Sequence, residues 1–263
     1  MHSRWAVACQ EELEVATSND YDFGWSHDMP ASLSVADFKM FRAVCELRYN
    51  DAYLIWDRSG QVFHDIADSF TDLKVITAVP INVACRSDEG QFALELGQCR
   101  FTSENPESNL EKFAGHCKRY FEVVADCLEI KVFTRIGFRT MFRKDLRNLD
   151  EAMAALAGLR LVNLEEDLRF GAEKNPQEIA LRWQSEQIGA MLRLKAESGA
   201  VDVVLPPELE AASPSIHKEI IGLLADIDYY TVAPVERGQW DASAWIPQAI
   251  RTVRREVDRI LNR

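Results

Sequence analysis

Apolar and polar residues alternate most regularly along residues 129–144, E-I-K-V-F-T-R-I-G-F-R-T-M-F-R-K. In a strand, successive side chains point to opposite faces. Here one face takes Val132, Thr134, Ile136, Phe138, Thr140 and Phe142. The other takes Lys131, Phe133, Arg135, Gly137, Arg139, Met141 and Arg143. An apolar, β-branched and aromatic face backed by four cations predicts a strand that is buried on one side.

The rest of the chain is read around that strand. Residues 1–37 show no sustained period, and Y-D-F-G-W-S-H-D-M-P mixes aromatics with turn formers, which predicts an irregular N-terminal arm. Residues 41–49 predict a first strand with Cys45, Leu47 and Tyr49 inward and Glu46 and Arg48 outward. A turn at Arg58-Ser59-Gly60 then leads to a short helix over 61–70. Strands over 74–86 and 91–101 follow, joined by Ser87-Asp88-Glu89-Gly90.

The clearest helix spans 110–128. Ser108 and Glu111 have the spacing of a capping box, and Leu110, Phe113, Cys117, Tyr120, Phe121, Val124 and Leu128 form one apolar stripe. Strand, helix, strand, strand, helix, strand is the order of the split βαβ, ferredoxin-like motif.

The second half opens near Arg147. Asn148 and Glu151 can cap an Ala-rich helix ending at Gly158. Strands are predicted over 178–184, 187–197 and 220–232, with a Pro-rich connector over 199–214 that carries a short strand at 201–205. A closing amphipathic helix covers 245–261. The expectation is therefore an α+β protein: the arm, a first sheet-and-helix half over 38–146 and a second over 147–263, packed as one compact body.

Composition narrows the function classes. At 263 residues and 47% hydrophobic, the chain can bury a sizeable core. Its formal net charge of −12 disfavours wholesale binding to nucleic acid or anionic membrane. No apolar run approaches the roughly 20 residues that span a bilayer. The first residues lack the apolar core of a signal peptide, so a cytoplasmic protein without a membrane partner is expected. The six cysteines form no C-x-x-C pair and read as reduced, mostly buried thiols.

Candidate chemistry is sparse. If the 129–144 strand lies antiparallel to 41–49 with 91–101 beside it, Glu46, Arg48 and Glu95 share the polar face with Lys131, Arg135, Arg139 and Arg143. Five cations then stand against two carboxylates. Such a row is either a solvated face with cross-strand pairs or a docking surface for a protein partner, with RNA or a phosphate-bearing ligand less favoured. Gly137 leaves a gap between Arg135 and Arg139 where a ligand could approach the backbone.

Asp226 and Asp228 share one face of the 220–232 strand. They could hold a divalent metal for phosphoryl or nucleotidyl transfer, or simply pair with arginines. The Gly-Ser or Gly-Gly element that nucleotidyltransferases place upstream is missing. His64, His116 and His217 are widely spaced, and no phosphate loop, dinucleotide fingerprint or nucleophile elbow is present. The chemistry leans away from an enzyme and implies no cofactor.

E-L-R-Y at 46–49, R-I-G-F-R at 135–139 and I-D-Y-Y at 227–230, in this order, resemble a large, sporadically distributed family of bacterial proteins of about this length. Its members share an early E-x-R-F/Y strand, a central R-x-G-L-R-Y strand and a late D-x-D strand before a C-terminal helix. Phe138 stands where that family has Leu, and Thr140 where it tends to have Tyr. The resemblance implies a gene that travels with mobile elements or phage-defence islands. It further implies an accessory protein, partner or antitoxin acting on another protein, with self-association also open.

Overall fold

A computed structural model describes residues 33–104, 106, 109–159, 161, 177–203 and 216–262. Most of the arm, residues 1–32, lies outside this set. Its end is a 310 turn, Val35–Asp37, capped by Ser34.

The strands are β1 (Lys39–Arg48), β2 (Lys74–Val79), β3 (Asn82–Ser87), β4 (Gly90–Glu95), β5 (Gln98–Glu104), β6 (Val132–Phe133), β7 (Arg135–Asp145), β8 (Glu178–Gln184), β9 (Ile188–Val203), β10 (Ile216–Thr231) and β11 (Val235–Glu236). The helices are α1 (Ile55–Ala67), α2 (Leu110–Cys127), α3 (Leu149–Gly158) and α4 (Ala242–Leu261). The fold is α+β, as the pattern predicts.

Nine strands form one sheet in the order β2-β3-β4-β5-β1-β7-β10-β9-β8, with every neighbouring pair antiparallel. This replaces the expected pair of separate sheets. The halves meet where β7 pairs with β10 from Gly137–Tyr230 to Asp145–Gly222. The reason is burial: β7 and the run at 220–227 are both too apolar to end a sheet, so each takes the other as a neighbour.

The split βαβ is not what the first half adopts. A crossover through α1 would place β1 parallel to a neighbour, yet β1 is antiparallel to both β5 and β7. Each of the two long strands predicted between α1 and α2 is in fact a hairpin. Pro80, which lacks an N–H, and Ile81 turn β2 into β3, while Leu96 and Gly97 turn β4 into β5.

The turn predicted at Arg58-Ser59-Gly60 is instead inside α1. Burial of Ile55, Val62 and Ile66 along one stripe overrides the poor helix propensity of Ser and Gly. The Asn109 side chain caps α2 by accepting from the Lys112 amide at 2.8 Å; Ser108, proposed as the cap, lies outside the described residues. Asn148 caps α3 as predicted, accepting from the Glu151 amide at 2.8 Å.

The core lies between the sheet and the helices. Phe113 of α2 meets Phe101 and Phe138, with ring centroids 5.5 and 6.1 Å apart, and Tyr120 packs on Phe92 at 5.1 Å. Trp245 of α4 covers Tyr229 of β10. Cys45, Cys85, Cys99 and Cys117 are buried free thiols, and Cys127 is a half-buried one.

Candidate functional site: the charged face of the sheet

On β7 the expected division holds from Ile136 onward. Ile136, Phe138, Thr140 and Phe142 are buried toward the core, while Arg135, Arg139 and Arg143 point to the other face. Before that point the alternation breaks. Thr134 is a bend whose amide donates to the Arg48 carbonyl at 2.8 Å. Phe133, expected beside the arginines, is buried against Trp240. Lys131 therefore does not belong to the basic face; it is an exposed residue ahead of β6, whose partner strand is β11.

The tertiary fold adds β10 to this face, and with it the acids. Arg139 makes a two-pronged contact with Asp226, Nε to Oδ1 at 2.7 Å and Nη2 to Oδ2 at 2.6 Å. This parallel geometry is the strongest form of the arginine–carboxylate pair. Arg135 bridges two strands: Nη1 donates to Glu46 at 2.9 Å and Nη2 to Asp228 at 2.6 Å. Arg48 donates to the same oxygen of Glu46 at 2.7 Å. Arg143 pairs with Asp145, and on the far side of β1 Arg42 pairs with Glu104. The predicted excess of positive charge is thus offset by Asp226 and Asp228 of β10 and by Asp145 at the end of β7.

Gly137 has a structural role rather than that of an opening for a ligand. The Arg135 guanidinium folds back along its own strand and fills the space above this glycine; a Cβ there would sit 3.0 Å from Nη1. The guanidinium carbon is also 4.4 Å from the centroid of the Tyr230 ring. That ring lies on Gly189 of β9, where a Cβ would come within 2.4 Å of it. Two glycines therefore make room for one stack, ring under guanidinium, between the carboxylates of Glu46 and Asp228. Sequence reasoning missed Tyr230 and Gly189, because only the pairing of β9 with β10 sets Gly189 opposite Tyr230.

The electrostatics follow from depth. Asp226 keeps only 10% of its side chain exposed, whereas Arg139 keeps 42%. The paired carboxylate holds the Arg139 proton more tightly than usual. Burial raises the Asp228 carboxyl above its ordinary 3.8 even though Arg135 pulls it down.

Asp226 and Asp228 share a face, as predicted, but each is already bonded to an arginine. Among the described residues no group of three His, Cys, Asp or Glu side chains is arranged to hold a metal ion. His116 is buried between the Phe70 and Phe101 rings, and its desolvation lowers its pKa. His64 is an exposed residue of α1.

The site is a flat lattice of oriented guanidinium groups anchored in carboxylates, on the face of an α+β protein built on one antiparallel sheet. Compared with known proteins, the chain matches no family model and no curated sequence. No helix among the described residues is long and apolar enough to cross a membrane.

Proposed function

We propose that this chain is a protein-interaction protein that docks another protein on the charged face of its sheet. The observation that carries the reading is the posture of the arginines. Arg42, Arg48, Arg100 and Arg139 keep 42% to 50% of their side chains exposed, and each has a carboxylate beside it. Each guanidinium has five N–H donors, and Asp226 takes only two of Arg139's. Arginines already fixed in place lose less freedom when a partner arrives, and arginine is a frequent hot-spot residue.

The free thiols support a reducing, cytoplasmic setting. The three short motifs point to a partner from a mobile-element or phage-defence system, with this chain as its accessory subunit or antitoxin.

Co-purification from the native host with mass spectrometry tests the reading, run beside an Arg48→Glu variant that melts normally. The expected result is one protein recovered in fixed proportion with the unaltered chain and lost with the variant. A chain that comes out alone overturns it. A rise in melting temperature with Mn²⁺ plus nucleotide would favour an enzyme using Asp226 and Asp228 instead.

A further inference from the structure

The two ends of the nine-stranded sheet are built differently. β8 (E-I-A-L-R-W-Q) carries Glu178 and Arg182, charges of the kind that discourage strands from adding to an edge. β2 (K-V-I-T-A-V) has one charge, Lys74, at its very start. Its outer edge has no partner strand among the described residues, so every second N–H and C=O there faces outward.

The strip is also the most apolar exposed stretch among the described residues. Val75, Ile76, Val79 and Ile81 are 40% to 58% exposed, and they are four of the seven large apolar side chains that stand out among the described residues. A bulge at Ile76, where the register with β3 shifts between Val75 and Thr77, is the edge's one protective feature besides Lys74.

We propose that β2 is a self-association edge: two copies of this chain pair β2 with β2 antiparallel about a twofold axis at Thr77. One observation selects a second copy as the occupant, and the charge of the strip is compatible with it. The segment is self-complementary, since an axis at Thr77 sets Val75 opposite Val79 and Ile76 opposite Ala78 of the other copy, apolar against apolar on either side of the Thr77 pair. Charge does not oppose the pairing. Residues 74–87 contain two cations and no carboxylate, in a chain whose net charge is −12. Copies meeting along this strip bring no acids together, and the geometry closes as a dimer rather than growing. The pairing leaves the charged face of the sheet free for the partner proposed above.

Sedimentation velocity on the full chain over a range of concentrations tests this, with 29.9 kDa for the single copy. The expected result is a reversible monomer–dimer equilibrium that Ile76→Lys abolishes while leaving the melting temperature near that of the parent. Register is tested by Thr77→Cys. Paired antiparallel residues have Cα atoms about 4.5–5.5 Å apart, inside the roughly 4.4–6.8 Å a disulfide accepts. Under mild oxidation this variant gives a covalent dimer, whereas Gln184→Cys on the opposite edge gives no more than the parent. A chain that stays monomeric throughout, a dimer indifferent to Ile76→Lys, or species that grow past the dimer would each overturn the proposal. So would a Thr77→Cys variant that cross-links no faster than the parent.

Discussion

Phe138 and Arg139 are consecutive in the chain and lie on opposite sides of one sheet. Phe138 is fully buried under Phe113 of α2, held by area removed from water and by close packing. Arg139 is held by two hydrogen bonds to a nearly buried carboxylate, with almost half its side chain in solvent. The apolar face resists any loss of volume. The charged face resists loss of a partner, and the cost there depends on how deep the abandoned group lies. The difference shows why the fold tolerates such a density of charge: each arginine is matched to an acid from a neighbouring strand or a nearby position.

Substitutions on the two faces should therefore fall in a definite order. Phe138→Ala should cost about 3–5 kcal/mol in denaturant unfolding, the range for emptying a buried aromatic site. Arg135→Ala comes next at about 2–3 kcal/mol, because it leaves Asp228 unpaired and Glu46 with Arg48 alone in a half-buried stack. Arg139→Ala should cost about 1–2 kcal/mol, more than a surface pair, since the acid left behind is the deep one. Arg42→Ala, whose pair with Glu104 is open to solvent, should cost roughly 0–1 kcal/mol. If Arg139→Ala matched Phe138→Ala, the charged face would be an internal one and the docking proposal would fail.

A pH series sharpens the same comparison. The folded protein holds the Asp228 proton more tightly than the unfolded chain, whose value lies near 3.8. The stability this residue contributes is therefore fully present below that value and is lost as pH rises through its folded pKa. Asp37, whose carboxyl is lowered chiefly by the Ser34 amide, behaves in the opposite sense: its contribution is present above 3.8 and is lost as pH falls through its folded pKa. Carboxyl NMR titration should place Asp228 above Asp37, and Asp228→Asn should flatten the slope of stability against pH on the acid side of neutrality.

The smallest effect concerns the thiols. Burial, with the nearby Asp65 carboxylate, pushes the half-exposed Cys127 up to about 11, and Cys45, Cys85, Cys99 and Cys117 are buried. At mildly alkaline pH an alkylating reagent mapped by mass spectrometry should label Cys127 slowly and the other four only after unfolding. Rapid labelling of Cys117 in the native protein would mean that α2 lifts from the sheet.

Much of this was legible in the chain itself. The stripes of α2 and α4, the Asn148 cap and the two faces of β7 beyond Thr134 depend on neighbours within a few residues, and period and propensity report such local relations directly. The antiparallel pairing of β7 with β1 was expected only as part of the split βαβ order, and it is present although that order is not. The sequence also held both members of the charged lattice, arginines at spacing four and acids at spacing two, without saying that they meet.

Only the tertiary structure decided that. Register between strands about 90 residues apart depends on how all nine strands satisfy their edges at once, and no local pattern encodes it. The same non-local balance drew Phe133 into the core and left Lys131 behind. It also turned Gly137 from an apparent opening into the floor beneath Arg135. Alternation along a strand says which side chains share a face; the neighbouring strand decides whether that face is charged or neutral.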